Sequence, residues 1–351
     1  MEEFQLCLTA PGMISRNPLN LDTVRDTEVL VRVHSLGICA TDLSLFSGTY
    51  TAPHKLPICF GHEWSGVVEK VGAGVSGLLP GDRVVGECSL SCGHCDLCRH
   101  NPNLCRDIQK FGITTDGAAR THVIVQERFL HRAGCAVDMG VLALAEPLAV
   151  AARGVAAALH RERPLFDGQK VLVLGGGMIG VACVAVLRLL HRCESVFLFD
   201  PIPSRCGRAR LFGAQALTTT DIPQGAPSNK YSDLYQGNGY DVVFETTGSP
   251  VAFKQSLQQL NPGGAVVHFG FLEEVTFAPK ILAIKGAHMV GSIGGSGMFE
   301  AVLPLVLTHA DTFRELITHT FAAADCDAAF ASASDREDSL KTQLVFCPKV
   351  V

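Results

Sequence analysis

The sequence predicts an α/β protein built of two domains, one compact and rich in β-strands, the other a doubly wound parallel sheet. Three observations carry this. The chain has 351 residues, too many for one ordinary core; its texture changes near residue 165; and a glycine-spaced turn follows an apolar strand near residue 175. Hydrophobic residues make up 47% and charged ones 18%, so burial is not limiting.

Residues 1–150 carry short β-type runs broken by Gly and Pro: EVLVRVHSLGI, WSGVVEKVG, DRVVGEC and ARTHVIVQ. From about 165 to 293, the apolar strands KVLVLGG, SVFLFD, AQALTT, YDVVFETT, AVVHFGF and HMVGSIG alternate with helix-like stretches, the pattern of βαβ units. Between these textures, ALAEPLAVAARGVAAALHRER is rich in strong helix formers and reads as a joining helix. TTTDIPQGAPSNKYSDLYQGNGY reads as an exposed connection within the second domain. Beyond residue 294, FEAVLPLVLTH and TQLVFCP are too few elements for a third domain and are expected to pack on the first. The expected domains are 1–150 with 294–351, and 151–293.

The net charge is −5 and no long basic tract exists, which argues against nucleic acid as a partner. The N-terminus opens acidic, without the basic start and apolar run of a secretory signal, so the expected location is cytoplasmic. The apolar windows carry Glu146 and Arg153 and read as core helices, so no membrane role is expected.

In VLVLGGGMIG, Gly175, Gly177 and Gly180 have the spacing that lets a chain turn tightly, approach a pyrophosphate and pack helix on strand. Asp200 ends the next strand, where its carboxylate would accept from ribose hydroxyls, which favours NAD over a 2′-phosphorylated cofactor. Arg205 would offset a 2′-phosphate in part or lie near the adenine. Asp200 also reads as a turn-forming residue before Pro201.

Fourteen cysteines are many for a reducing compartment. Most, Cys7 and Cys59 among them, are scattered and read as buried apolar thiols. Cys92, Cys95, Cys98 and Cys105, spaced C-x2-C-x2-C-x6-C, read as four thiolates on one structural zinc, which contributes about 10 kcal/mol to the local fold. His94, His100 or Cys88 could replace one ligand, and an iron–sulfur cluster is the alternative.

Hydride transfer to NAD needs an alcohol whose proton can leave, and a zinc ion with an open position provides for that. Cys39 in LGICATDLS, His62 and Glu63 in GHEWSG, and Glu146 in ALAEPLA meet the need for donors away from the cysteine ladder, with Asp42 as acceptor for the imidazole. Taken singly, Cys39 reads as a buried thiol, Glu146 as a helix cap and Thr41 as a turn hydroxyl.

Together the motifs GHEWSG with Gly72 and Val75, PGDRV at Pro80 to Val84, the cysteine ladder, GGGMIG, and EPLAV at Glu146 to Val150 make the chain resemble the zinc-containing medium-chain dehydrogenase/reductase family. That family includes zinc alcohol, sorbitol and threonine dehydrogenases. The resemblance implies a GroES-like catalytic domain, a Rossmann domain and an active site in the cleft between them. It also implies that Cys39, His62 and Glu63 ligate a catalytic zinc, with Glu146 as a fourth ligand, direct or through water, and that Thr41 passes the alcohol proton. Ile179 would lie against the nicotinamide, and Phe269, Gly270, Phe271, Ser292 and Ile293 match the loops lining it. Two zinc ions per chain, NAD(H), a small alcohol or ketone substrate and a homo-oligomer, dimer or tetramer, complete the expectation.

Three departures qualify the resemblance. The ladder has six residues before its last thiol where the family usually has seven. Ser44 stands where sorbitol- and threonine-type members usually have a relay histidine, leaving His54 or water for that task. Gly294 and Gly295 stand where polyol dehydrogenases tend to have an Arg and an aromatic residue, although Met298 to Glu300 is similar to threonine dehydrogenases. The expected activity is NAD-linked oxidation of a secondary alcohol in a polyol, sugar or cyclitol, in a pocket framed by Ser44, Leu45, His54 and Gly295. The alternatives are a threonine-type or amino-alcohol dehydrogenase, a biosynthetic ketone reductase, and an inactive nucleotide-binding relative.

Overall fold

The structure is a computed structural model that describes residues 3–134, 137–159, 168–218, 235 and 239–347. The chain divides into one unit of Met1–Ala149 with Gly294–Val351 and another of Val150–Ile293. Most of the polar connection expected at 218–240, the end of the joining helix, and Cys135 lie outside the described residues.

In the first unit, alternating apolar residues build a sheet whose central strand is Glu28–Gly37. That strand pairs antiparallel with Glu63–Val71, with His122–Gln126 and with Lys341–Val345. Arg83–Gly86 and Leu130–Ala133 extend the sheet on one side, and Ile317–Ala322 on the other. A smaller sheet orders Met13–Pro18, Phe4–Ala10 and Ile58–Cys59. Val31, Val33, Leu36, Phe60, Trp64, Leu344 and Phe330 are buried in the core they share.

Neither Phe4–Ala10 nor Met13–Pro18 was expected as a strand, and Ile317–Ala322 and the helix Cys326–Ser334 were missed as well. Their sequences, FQLCLTA and CDAAFASAS among them, lack clean periodicity, and only neighbours from distant segments decide their form.

The second unit is a six-stranded, wholly parallel sheet in the order Gln215–Leu217, Ser195–Phe199, Lys170–Leu174, Tyr240–Glu245, Leu260–His268, His288–Gly291. This is the doubly wound arrangement, in which the strand order reverses beside Lys170–Leu174 and ligands bind at the carboxyl ends. Leu172, Val243, Leu257 and Val266 lie in one of its cores.

Among the described residues, one apolar stretch, Met139–Ala158, is long enough to cross a membrane by length and composition, but most of it is buried inside the fold. That burial is what a core helix shows. It comprises the short helix Met139–Ala143 and all but the last residue of Ala145–Leu159, which carries Glu146 in its first turn.

Candidate functional site

Two segments converge in the first unit. Cys39 caps the helix Ala40–Ser47, and His62 and Glu63 enter the strand Glu63–Val71 through a turn at Gly61. Gly61 has φ 88°, and a Cβ there would lie 2.7 Å from the Leu36 side chain, so only glycine fits this corner. Donor atoms of Cys39, His62 and Glu63 all lie within 4.8 Å of one another. His62 and Glu63 are buried, and His62 Nδ1 has no hydrogen-bond partner. A buried imidazole grouped with a thiol and a carboxylate, and with a ring nitrogen left unpartnered, suits a metal ion.

The electrostatics point the same way. Burial pushes the His62 imidazolium down, but the surrounding thiols, Cys88 and Cys39, and the Asp42 carboxylate outweigh it and hold the group well above its ordinary value. A corner that keeps a proton on a buried imidazole is electronegative enough to attract a cation.

Asp42 takes a different part from the one expected. It is fully buried, with Oδ2 accepting from the Cys39 amide at 2.9 Å and Oδ1 from the Gly61 amide at 3.2 Å. It therefore ties the two ligand-bearing segments through their backbones instead of receiving the imidazole. Glu146 is 5% exposed, and it does not join the close set of Cys39, His62 and Glu63. Burial, reinforced by Glu63 and opposed by His62, pushes its carboxyl up to about 7.

Sequence reading missed Lys341 here and placed Cys88 with the cysteine ladder. Lys341, 2% exposed, donates to Glu63 Oε2 and to the Ile38 carbonyl at 3.2 Å. Cys88 lies in the electrostatic field of His62, Glu146 and Cys39, and burial pushes its thiol up to about 11. Cys88 thus belongs with this corner and not with the cysteine ladder. No spacing signal marks either residue.

Thr41 is half-buried on the Cys39-capped helix. The other residues expected to frame a substrate sit in different surroundings. The Ser44 hydroxyl donates back to the Ala40 carbonyl at 2.9 Å, Leu45 is 2% exposed within the core, and His54 is exposed, 2.9 Å from the Ala52 carbonyl.

The ladder forms a second cluster. Cys92, Cys95, Cys98 and Cys105 bring their sulfurs within 4.8 Å of one another, with Cys92 to Cys98 at 3.8 Å and Cys95 to Cys105 at 3.9 Å. Four thiolates around zinc at about 2.3 Å stand about 3.8 Å apart in a tetrahedron, so the set fits that ion. The amides of Arg106 and Cys98 pull the Cys95 thiol down to about 6. The shortened loop before Cys105 closes as a tight 3-10 turn, Pro102–Leu104, capped by Asn101. His94 shares a further set with Cys92 and Asp107. Asn103 clasps the returning chain, accepting from the Ser296 amide at 3.1 Å and donating to its carbonyl at 3.2 Å.

In the second unit, Gly177 caps the helix Met178–Ala185 after the strand Lys170–Leu174. A Cβ on Gly180 would fall 1.8 Å from the Gly175 carbonyl oxygen, so helix and turn touch where glycine alone allows it. Asp200 Oδ2 accepts from the Gly176 amide at 2.8 Å and Oδ1 from the Ile202 amide at 2.8 Å. Asp200 thus shapes the glycine turn and its own turn together, and Arg205 packs over Gly176.

Ile179 and Phe269 are half-buried, Gly270 approaches Gly248, and Phe271 and Ile293 are exposed. Ser292 holds a buried hydroxyl without a hydrogen-bond partner, while its amide donates to the His268 carbonyl. An orphaned hydroxyl at the carboxyl end of a parallel sheet fits a cofactor rich in polar groups. One further pair was unforeseen: His268 Nδ1 lies 2.7 Å from Glu245 Oε2, joining the carboxyl ends of two neighbouring strands.

Comparison with known proteins adds the lineage. The alcohol dehydrogenase GroES-like domain family matches residues 25–134, and the zinc-binding dehydrogenase family matches 179–308. The chain is 30% identical over 328 residues to a 2-dehydro-3-deoxy-L-galactonate 5-dehydrogenase of Pseudoalteromonas atlantica, covering 91% of this chain and 92% of that protein. An Escherichia coli CFT073 alcohol dehydrogenase solved with NADH is similar at a TM-score of 0.86 and 26% identity, over 98% of this chain and 99% of that one. A zinc-binding dehydrogenase from Sinorhizobium meliloti 1021, solved with NADP, is similar at 0.86 and 26%, over 99% of this chain and 100% of that one. The chain belongs to the zinc-containing medium-chain dehydrogenase/reductase family and is an oxidoreductase of the alcohol dehydrogenase type.

Proposed function

We propose that this enzyme oxidises a secondary alcohol of a polyol, sugar or cyclitol to the ketone, passing a hydride to NAD. The observation that carries the reading is the convergence of Cys39, His62 and Glu63 within 4.8 Å of one another, His62 and Glu63 buried. These three residues would hold a catalytic zinc, and the four-cysteine cluster a structural one, two per chain. When bound, the catalytic metal supplies a Lewis acid at which an alcohol loses its proton near neutral pH.

The chain's own residues do the rest. Lys341 engages one Glu63 oxygen, which leaves the other to the metal. The Glu146 carboxyl, pushed up to about 7, is matched to exchanging a proton at neutral pH, and it would complete the metal's shell directly or through water. Thr41 offers a hydroxyl for the alcohol proton. In the second unit Gly175, Gly177 and Gly180 would receive the pyrophosphate, and Asp200 the ribose. Ile179, Phe269, Gly270, Phe271, Ser292 and Ile293 would line the nicotinamide.

The Asp200 carboxylate favours NAD, since it would repel a 2′-phosphate. A polyhydroxylated substrate is supported by the sugar-acid activity named for the Pseudoalteromonas relative. The same reading takes the enzyme as a cytoplasmic homo-oligomer.

The test is a panel of polyols, sugars and cyclitols followed at the NADH absorbance, with zinc content measured alongside. Cys39→Ser and His62→Ala are expected to lose one zinc per chain and nearly all NAD reduction. Full reduction by either variant with every active alcohol would overturn the mechanism.

A further inference from the structure

Cys7 and Cys59 are distant in sequence, yet they face each other across the small sheet, paired in register between Phe4–Ala10 and Ile58–Cys59. Residues directly opposite on antiparallel strands point to the same face. The Cys59 backbone is engaged elsewhere: its amide donates to Asp116 Oδ1 at 3.1 Å, and its carbonyl accepts from the Gly117 amide at 2.6 Å. The cysteines therefore form a non-hydrogen-bonded pair, the class with Cα atoms about 4.5 Å apart and side chains closest. That spacing falls inside the range of about 4.4 to 6.8 Å that a disulfide spans. Both thiols are free, and both belong to one apolar cluster.

We propose that Cys7 and Cys59 are a reversible modification site, closing to a disulfide when hydrogen peroxide oxidises the chain. Cys7 is half-buried and Cys59 is 1% exposed, so the oxidant meets Cys7 first. The Cys7 sulfur attacks one peroxide oxygen; the O–O bond breaks, and hydroxide leaves to become water with the Cys7 proton. The Cys59 sulfur then attacks the Cys7 sulfenic acid; the S–S bond forms, the S–O bond breaks, and a second water leaves with the Cys59 proton. Two thiols are oxidised and one peroxide is reduced to two waters.

Burial pushes both thiols up, Cys59 to about 12, and Arg120 is the cation that works against this at each. The pair is therefore slow, answering sustained oxidant and ignoring traces. Cys59 stands three residues before His62, so the bond would fasten the strand that runs into the ligand corner.

Trypsin separates the two thiols cleanly, because the peptides 1–16 and 56–70 each contain one cysteine. The zinc-loaded enzyme is exposed to hydrogen peroxide, its remaining thiols are alkylated, and an unreduced digest is read by mass spectrometry. The expected result is a linked 1–16/56–70 pair, two hydrogens lighter than the sum, accounting for most of Cys7, lost on dithiothreitol treatment and absent in Cys7→Ser. If Cys7 and Cys59 are both recovered alkylated, or Cys7 is found as an unlinked oxyacid, at a dose that oxidises the other thiols, the proposal fails.

Discussion

Lys341 keeps an ammonium in the interior because Glu63 is there to receive it. Burial alone would push the lysine down; Glu63 and Cys39 more than reverse this and hold it above its ordinary value. Removing one partner strands the other, and breaking a buried pair costs about 3–5 kcal/mol. Lys341→Met is expected to show that loss as a lower urea midpoint, and Lys341→Met with Glu63→Gln to regain part of it. At this scale the sequence was partly legible. Cys39, His62 and Glu63 announce themselves because a tight turn demands glycines around the pair, whereas Lys341 lies 278 residues from Glu63 and has no local signature.

At the scale of elements, the carboxyl ends of Tyr240–Glu245 and Leu260–His268 are held together by Glu245 and His268. Burial raises the Glu245 carboxyl, but the His268 imidazole and the Thr247 hydroxyl and amide prevail and set it below the ordinary 4.5. A carboxyl lower in the folded than in the unfolded chain stabilises the fold above 4.5, and that contribution fades as pH falls through the lowered value. In His268→Leu the burial effect gains, so acid unfolding, followed by circular dichroism, is expected to begin at higher pH than in the native chain. The strands themselves were readable, since apolar runs between glycines repeat along the unit. The pair was not, because each residue closes a different strand and only parallel register brings them side by side.

For the whole molecule the decisive fact is that the chain leaves its first unit at Ala149 and re-enters it at Gly294. The returning segment adds Lys341–Val345 to the central strand, donates from Gln343 to the Gly140 carbonyl at 2.8 Å, and meets Asn103 through Ser296. A chain cut after Ile293 keeps every proposed metal ligand in sequence but loses Lys341 and the sheet's completion. It is expected to aggregate on expression and to bind no metal at the Cys39 corner, as metal analysis of any soluble fraction would show. The return was anticipated from too few remaining elements, but not its partners, which are set by long-range strand pairing. Asp42 has a last consequence, one of timing. Because a single carboxylate splints the Cys39 and Gly61 backbones, the polypeptide by itself sets the corner that would receive an ion. A zinc ion held there as proposed would exchange at the pace of dehydration and diffusion into a finished socket, while at the cysteine cluster losing an ion would also cost the loop its centre.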